Sequence, residues 1–466
     1  MKRKLLARAI GAATMAFAAQ QAVGAGFALQ EQNGSGLGNA YAGGAAVAED
    51  ASTVWANPAG MSRFTTVQVA ASVAGIFPSS KFSNDGSVAA FFGQPLGGNG
   101  GEGGESAALP AMYLVAPINR DWAFGLGISV PFGLETRWDD GWLGRYQALQ
   151  SKVETLNVNP AISWRINDQF TVGAGVDYQR IKATFTSNAN YSAALASAAQ
   201  TAAAGGLITP GQAGAFVAAT PGLDSSVNIS GDDDAWGWNI GVMWNITPDM
   251  RVGAHYRSPI KYDIKGNINF GNPTVALPPA LAPIGGALIP AVNAQLTSGG
   301  VTSSIKLPSI TNVSFYTRVN PKWEFMADVQ FTDWSTIPTL EFVRTGPGRA
   351  LPPTPENFKD AWRVSGGVSY YLDDNWKLRG GIAWDESPVN DQDRTPRLPD
   401  EDRFWLAGGV QYVWNKQWKL DLGATYIWIS SASSNQNAGS TPANGLIKGS
   451  YDANVFVVGG QVSYSF

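Results

Sequence analysis

The most constraining feature of the sequence is a regular alternation of apolar and polar side chains. From Trp418 to Trp428 the even positions carry Trp, Leu, Ala or Tyr, and Lys419 and Asp421 are among the residues between them. Successive side chains of a β-strand point to opposite faces, so this pattern gives one apolar and one polar face. Similar runs occupy residues 156–166, 170–179, 236–246, 323–332 and 376–385. Together they predict a sheet with two chemically different faces.

Short and long connections alternate between these runs. The short ones are made of turn-forming residues. An aromatic residue follows five of the six short turns, which places rings at the same end of successive strands. Short periplasmic turns, long outer loops and an aromatic belt are typical of outer-membrane barrels. The short turns are residues 119–120, 167–168, 247–249, 320–322, 373–375 and 415–417.

We therefore predict an all-β fold, a fourteen-stranded antiparallel transmembrane β-barrel, from residue 65 to residue 466. Single strands are expected at residues 122–134, 250–264 and 303–318, and both termini are expected in the periplasm. Phe466 ends an alternating apolar face, which predicts recognition by the barrel assembly machinery.

The composition supports a barrel in lipid and excludes several kinds of chemistry. Charged residues make up only 15% of the chain, against about 25% in soluble domains. The apolar stretch 276–292 contains four prolines, which would break a spanning helix. With no Cys and a single His, His255, the chain has little means for hydrolytic or thiol chemistry. We expect no enzyme activity, no cofactor, no metal and, since no basic patch stands out, no nucleic-acid partner.

The first residues predict export. Lys2, Arg3, Lys4 and Arg8 precede or interrupt an apolar stretch that is too short to span a membrane. Small residues up to Ala25 fit a signal-peptidase site. We predict a signal peptide at residues 1–25, cleavage before Gly26, and a location in the bacterial outer membrane.

Residues 26–64 do not alternate and are rich in Gly and Ala. Phe27, Leu37, Val54 and Trp55 need burial, so we predict a small, partly helical hatch that plugs the barrel. The alternative is a disordered periplasmic tail.

Several motifs in this segment and beyond resemble the FadL/TodX family of outer-membrane transporters for long-chain fatty acids and aromatic hydrocarbons. The N-terminal motifs are Gly26–Leu29, Gly36–Gly43, Ala48–Thr53 and Asn57–Met61, and the later ones are Val130–Thr136, Phe331–Ser335 and Pro396–Asp400. The resemblance covers the whole predicted mature chain in order.

The resemblance implies passive transport. Outer loops capture the ligand, an inner apolar pocket holds it, and a shift of the hatch releases it. A kink in the third strand implies a lateral opening at Ser129, Val130, Pro131, Phe132 and Gly133. It also implies that this opening lies beside Asn57, Pro58 and Ala59 of the hatch.

The residues of the third strand support a kink independently. Pro131 removes a donor from the hydrogen-bond ladder, and Gly133 tolerates a bend. The alternative is a strand that ends at Pro131.

The ligand is expected to be a hydrophobic small molecule, with outer-membrane lipid as the other partner of a monomeric chain. Two apolar loops, residues 184–231 and 275–292, are candidates for its capture, or they pack on each other and close the barrel top. Ligand-binding residues stay unassigned. The strand cations that parity places in the lumen are Arg251, His255, Arg257, Arg363, Lys377 and Arg379.

Three functions remain open at this point. A channel for hydrophobic compounds, with fatty acids ahead of monoaromatic hydrocarbons, agrees with the predicted plug. A general porin would leave its lumen open. An outer-membrane hydrolase would need a motif around His255, and the sequence contains none.

Overall fold

The barrel wall closes where the first strand pairs with the last. In the computed structural model, which describes residues 25–441 and 443–466, β1 (Gln68–Asn84) runs antiparallel to β21 (Gly445–Ser465). The remaining elements of the sheet are β2 (Ala107–Pro117), β3 (Trp122–Ser129), β4 (Gly133–Arg137), β5 (Gln150–Arg165), β6 (Phe170–Asn190), β7 (Asp224–Thr247), β8 (Met250–Arg257), β9 (Ile260–Gly271), β10 (Gly299–Leu307), β11 (Ile310–Asn320), β12 (Trp323–Thr332), β14 (Val343–Arg344), β16 (Ala361–Tyr371), β17 (Trp376–Asp385), β18 (Arg403–Val413), β19 (Trp418–Ile429) and β20 (Ala432–Thr441). Two short strands, β13 (Thr339–Leu340) and β15 (Thr354–Pro355), pair separately in an outer loop.

These elements form the predicted fourteen-stranded antiparallel barrel, since β3 with β4, β8 with β9, β10 with β11 and β19 with β20 each build one interrupted strand. The two-residue β14 only adds to β10 and is not a strand of the barrel. The predicted facing is confirmed on β19. Leu422 is 62% exposed on the outer face, whereas Asp421 and Thr425 are buried in the lumen.

Five of the six short turns share one local structure. The side-chain oxygen of Asn119 accepts hydrogen bonds from the backbone N–H groups two and three residues later, each at 2.9 Å. Such Asx turns fix the reversal without help from other parts of the chain. The same pair of bonds recurs at Asn167, Asn320, Asp373 and Asn415.

The aromatic residues that follow the turns meet aromatic partners on neighbouring strands. Trp122 stacks on Trp164 with ring centroids 5.6 Å apart, and Trp418 lies 4.6 Å from Tyr464. Both pairs are at the turn end of the barrel and face outward, as an interfacial belt requires.

Two strands that were expected to be continuous are interrupted, so that part of the prediction was wrong. β8 gives way to β9 at Ser258–Pro259, and β10 gives way to β11 at Pro308–Ser309. The physical reason is the one applied to Pro131, since a proline within a strand cannot donate to the ladder. The β6–β7 hairpin also extends further than predicted, to Asn190 and Asp224, because its Ser- and Asn-rich outer half lies beyond the alternating pattern.

The N-terminal segment fills the lumen with one-turn helices. These are α1 (Gly34–Leu37), α2 (Gly44–Val47), α3 (Thr53–Ala56) and a 3-10 helix (Pro58–Arg63). Glycines of the wall allow this segment to approach closely. A Cβ at Gly253 would lie 1.9 Å from the carbonyl oxygen of Ala45, so only glycine fits there.

The predicted signal peptide, residues 1–25, lies outside the described residues except for Ala25. Among the residues that the structure describes, no helix is long and apolar enough to cross a membrane.

Candidate functional site

The wall is interrupted between β2 and the strand built by β3 and β4. β2 pairs with β3 from Pro117↔Ala123 only as far as Met112↔Ile128, and no ladder of the described residues joins residues 107–111 to β4. On the opposite side β5 stays paired with both β3 and β4. Across the break, the three residues 130–132 lie opposite the two residues 155–156 of β5. Such a bulge bends one strand and leaves its other edge unpaired.

Ser129 and the four residues after it lie at this break, and the first hatch residues pair with them. The N–H of Leu29 donates to the carbonyl oxygen of Pro131 at 2.9 Å, and the N–H of Gly133 donates to that of Phe27 at 2.9 Å. The hatch thus acts as a short strand added to the unpaired edge.

Gln32 of the hatch connects the two sides of the gap. Its side-chain amide donates to the carbonyl oxygen of Val130 at 2.8 Å, on the broken strand. Its backbone carbonyl accepts a 2.8 Å hydrogen bond from the hydroxyl of Tyr113, on β2. All three residues are buried, so these bonds are protected from competition with water.

An aromatic triad lies inside the break. The ring of Phe27 contacts that of Trp334 at 4.8 Å and that of Phe132 at 6.0 Å between centroids, both edge to face. Phe132 and Trp334 are 6.2 Å apart. Because Phe27 belongs to the hatch and Phe132 to the wall, a shift of the hatch would separate the two rings.

An apolar chamber continues from the triad towards the outer half of the lumen. Leu134, Val153, Ile181 and Phe185 belong to the same buried cluster as the triad. The chamber encloses a cavity of about 40 Å³ with almost no polar lining. Pockets for small-molecule ligands usually measure about 300–1,000 Å³, so a long acyl chain enters only if the lining moves.

Asn57, Pro58 and Ala59 lie at the inner wall on β6 and β7. The Asn57 amide donates to the carbonyl oxygens of Ala45, at 2.7 Å, and Val242, at 3.0 Å, while its side-chain oxygen accepts from the N–H of Ala59 at 3.0 Å. A Cβ at Gly241 would collide with that oxygen. Asn57 therefore ties two parts of the hatch to the wall, whereas the direct backbone contacts with the break come from Phe27 and Leu29.

The predicted lumen cations mostly hold the hatch. Arg251 donates to the carbonyl oxygen of Val47 at 2.8 Å, and Arg363 donates to that of Ala40 at 2.7 Å. Arg257 pairs with Asp177 and also donates to the hatch, and Lys377 and Arg379 both pair with Glu49 of the hatch. His255 is buried beside a cavity of about 110 Å³ between hatch and wall, which polar and apolar side chains line about equally.

Sequence reasoning missed Arg397, which lies beside the apolar chamber. Its guanidinium carbon is 5.2 Å from the centroid of the Phe185 ring. Arg397 belongs to a long connection that folds back into the lumen, and strand parity gives no information on such a segment.

The two candidate capture loops pack on each other above the wall. Tyr191 begins helix α4 (Tyr191–Ala204) and donates to the side-chain oxygen of Asn293 in α6 (Ala282–Gln295) at 2.7 Å. Between them, α5 (Pro210–Ala218) buries Phe216 in the same cluster. Leu207 stays 82% exposed, so the loops also present apolar surface to water.

Comparison with known proteins shows similarity over almost the whole chain. Residues 15–466 match the family model described as outer membrane protein transport protein (OMPP1/FadL/TodX). The long-chain fatty acid transport protein of Escherichia coli K12 is 33% identical over 448 residues, which cover 93% of this chain and 95% of that protein. Outer membrane protein P1 of Haemophilus influenzae is 30% identical, covering 89% of this chain and 88% of its own.

Solved structures show the same fold. A Pseudomonas aeruginosa FadL homologue superposes with a TM-score of 0.80 at 24% identity, covering 95% of this chain and all (100%) of that one. The Pseudomonas putida toluene transporter TodX superposes with a TM-score of 0.64 at 15% identity, covering 93% and 98%. At these identities the structures establish the architecture alone.

Proposed function

This chain belongs to the OMPP1/FadL/TodX family of outer membrane transport proteins, and on that premise we propose that it is a passive uptake channel for long-chain fatty acids. The family consists of transporters and not of enzymes, and its members lie in the bacterial outer membrane. The 33% identity to a long-chain fatty acid transport protein supports the fatty acid as cargo.

The observation that carries the proposal is the contact between the hatch and the break in the wall. Phe27 and Leu29 occupy the unpaired edge at Pro131 and Gly133, and an apolar chamber lies directly behind them. A plug that pairs with the wall at a broken ladder, beside an apolar cavity, is suited to open a path from that cavity into lipid.

Transport begins at the outer loops in this proposal. The apolar surface around Leu207 and the helices α4, α5 and α6 offers a water-facing site for an acyl chain. From there the ligand moves into the chamber below, which is continuous with the aromatic triad.

A shift of the hatch is the gating step. The cavity of about 40 Å³ does not hold an acyl chain, so its lining must rearrange. In this proposal the packed rings of Phe27, Phe132 and Trp334 separate to continue the path to the break in the wall. Ala40, Tyr41 and Ala48 have left-handed backbones, with φ of 53°, 58° and 44°. Such conformations persist only while the surroundings impose them, and their strain favours rearrangement of the hatch once its contacts loosen. Asn57 holds the deeper part of the hatch on β7 during this shift.

The ligand leaves sideways through the gap at Ser129 to Gly133. Release into the periplasm would expose the acyl chain to water at about 0.8 kcal/mol per CH₂. Exit through the wall keeps the chain in an apolar medium throughout. The whole path lies within one chain, so we propose that the protein acts as a monomer and that the barrel assembly machinery recognises the strand ending at Phe466.

The test also distinguishes two alternative functions. Monoaromatic hydrocarbons would use the same chamber, and a general porin would pass small hydrophilic solutes. Cells that lack the gene, with and without a plasmid copy, are given labelled oleate and labelled toluene. Gene-dependent uptake of oleate supports the proposal. Gene-dependent uptake of toluene alone would mean that the cargo is a monoaromatic hydrocarbon. A large steady conductance of the purified protein in planar bilayers would instead indicate a porin.

A further inference from the structure

The chamber has a cation at one end that no strand pattern revealed. Arg397 lies in the connection between β17 and β18, and its backbone is fixed inside the barrel. The hydroxyl of Thr136 donates to the carbonyl oxygen of Arg397 at 3.1 Å, and the indole N–H of Trp138 donates to that of Pro396 at 3.0 Å. Leu398 is buried in the chamber cluster. The guanidinium is therefore held in place next to the apolar lining.

The guanidinium of Arg397 makes few polar contacts within the protein. Nη1 donates to the hydroxyl of Ser151 at 3.1 Å, and the group lies over the ring of Phe185. It forms no ion pair with any carboxylate that the structure describes. In the same connection Arg394 pairs with Asp391 and Glu401, and Asp400 pairs with Arg403, the first residue of β18.

Arg397 is half-buried, so its charge has lost part of its contact with water without gaining a carboxylate partner. Removal from water lowers the pKa of Arg397 to about 10, so the group stays charged at neutral pH. Glu356 interacts with it electrostatically, but burial raises the pKa of Glu356 to about 8 and keeps most of that carboxyl neutral at pH 7. A half-buried positive charge without a formal negative partner favours the binding of an anion.

The surroundings define the ligand that would satisfy Arg397. Phe185 lies under the guanidinium and also lines the apolar cavity, together with Val153, Ile181, Ile264 and Phe342. One end of the site thus offers hydrogen-bond donors, and the rest offers an apolar surface for a hydrocarbon chain. A guanidinium matches a carboxylate through two parallel hydrogen bonds.

We propose that Arg397, assisted by the hydroxyl of Ser151, receives the carboxylate of the ligand while the acyl chain occupies the cavity beyond Phe185. Arg397 is then the specificity-determining residue that separates fatty acids from neutral hydrocarbons of the same size. This inference rests on the proposed function, because it needs a ligand that enters the chamber.

The test compares three ligands that share one chain length: palmitate, methyl palmitate and hexadecanol. Binding to the purified full-length mature protein in detergent is measured by titration calorimetry, for the wild type and for Arg397→Met, Arg397→Lys and Ser151→Ala. One charge-assisted hydrogen-bonded contact corresponds to roughly tenfold or more in affinity.

We expect the wild type to prefer palmitate over both neutral ligands by at least about tenfold. Arg397→Met should remove this preference without weakening hexadecanol, Arg397→Lys should retain part of it, and Ser151→Ala should reduce it by less than Arg397→Met does. Equal wild-type affinity for the three ligands overturns the inference, and this comparison needs no variant to fold. The inference is also overturned if Arg397→Met weakens the binding of all three ligands equally while Arg397→Lys keeps full affinity. Arg397 would then contribute packing alone and no recognition of the carboxylate. If the wild type binds none of the three, the proposed function itself fails.

Discussion

The backbone N–H of Gly26 donates a 2.8 Å hydrogen bond to a carboxylate oxygen of Asp400, 374 residues further along the chain. The same oxygen accepts from the hydroxyl of Ser387 at 2.8 Å, and the other oxygen of Asp400 pairs with Arg403. The start of the hatch is thus attached to the connection between β17 and β18 by a buried charge.

This contact gives the predicted cleavage site a physical consequence. If the mature chain begins at Gly26, its α-ammonium group lies against Asp400, and a charge-assisted bond replaces a neutral one. Mass spectrometry of the outer-membrane form should show loss of residues 1–25. In that form Asp400→Asn should speed hydrogen exchange in the first hatch residues, whereas Asp391→Asn, an exposed carboxylate of the same connection, should not. An intact N-terminus in the outer membrane would contradict the predicted signal peptide.

Charge on the lipid face should destabilise the barrel according to depth. Leu422 is 62% exposed near the middle of β19, and Val319 is 63% exposed at the turn end of β11. We expect Leu422→Arg to reduce the free energy of folding into bilayers by about 2–4 kcal/mol, and Val319→Arg by about 0–1 kcal/mol. Urea titration of both variants in lipid vesicles measures the difference. Equal effects would mean that one of these two residues does not face lipid at the assumed depth. Thr425→Arg is unsuitable as a lumen control, since Thr425 donates to Leu37 of the hatch.

Features governed by local rules were predictable from the sequence. Alternation placed Leu422 outside and Asp421 inside, and Asn119 and its equivalents marked the turns because an Asx turn depends on a few adjacent residues. Pro131 predicted the break because a proline cannot donate to the hydrogen-bond ladder of a strand, whatever its neighbours are.

Features that depend on long-range packing were not predictable. Nothing local indicates that Gln32 spans the gap from Tyr113 to Val130, or that the connection containing Arg397 folds back into the lumen. The pairing of lumen cations with Glu49 and with hatch carbonyls likewise depends on how the hatch lies in the barrel, which alternation does not encode.

Asn57 should matter for transport more than for assembly. Its side chain makes two buried hydrogen bonds within the hatch and a part-buried one to β7, and the wall ladders do not use it. Asn57→Ala should slow oleate uptake severalfold while the heat-modifiable gel shift of the folded barrel stays normal, because unpaired buried groups cost about 1–3 kcal/mol each. Asn245→Ala is the matched control, since Asn245 also lies on β7 but only reaches the turn at Asp168. Unchanged oleate uptake in Asn57→Ala would show that Asn57 has no role in the proposed gating step.

Fatty acid affinity should fall as the pH rises above about 8. Burial raises the pKa of Glu356 to about 8, nearby Asp393 adds to the shift, and Arg397 opposes it. Below this pKa Glu356 is neutral and the charge of Arg397 is available to a ligand carboxylate. Above it the ionised Glu356 competes for that charge. Palmitate affinity should therefore decline between pH 7 and pH 9 in the wild type and stay level in Glu356→Gln. A decline of the same size in Glu356→Gln would assign the titration to another group.

Restoring a regular third strand should close the proposed exit. Pro131→Thr returns a backbone donor and Gly133→Val favours extended backbone, so β3 and β4 are expected to join and pair with residues 107–111 of β2. The double variant should bind palmitate in the chamber yet lose most oleate uptake, because the lining at Val153 and Phe185 is unaltered. Pro259→Thr is the control, since it repairs the break between β8 and β9, which does not border the gap. A double variant that folds, shows a closed wall in its structure and transports at the original rate would demonstrate that ligand passes through the hatch into the periplasm, and lateral exit would be wrong.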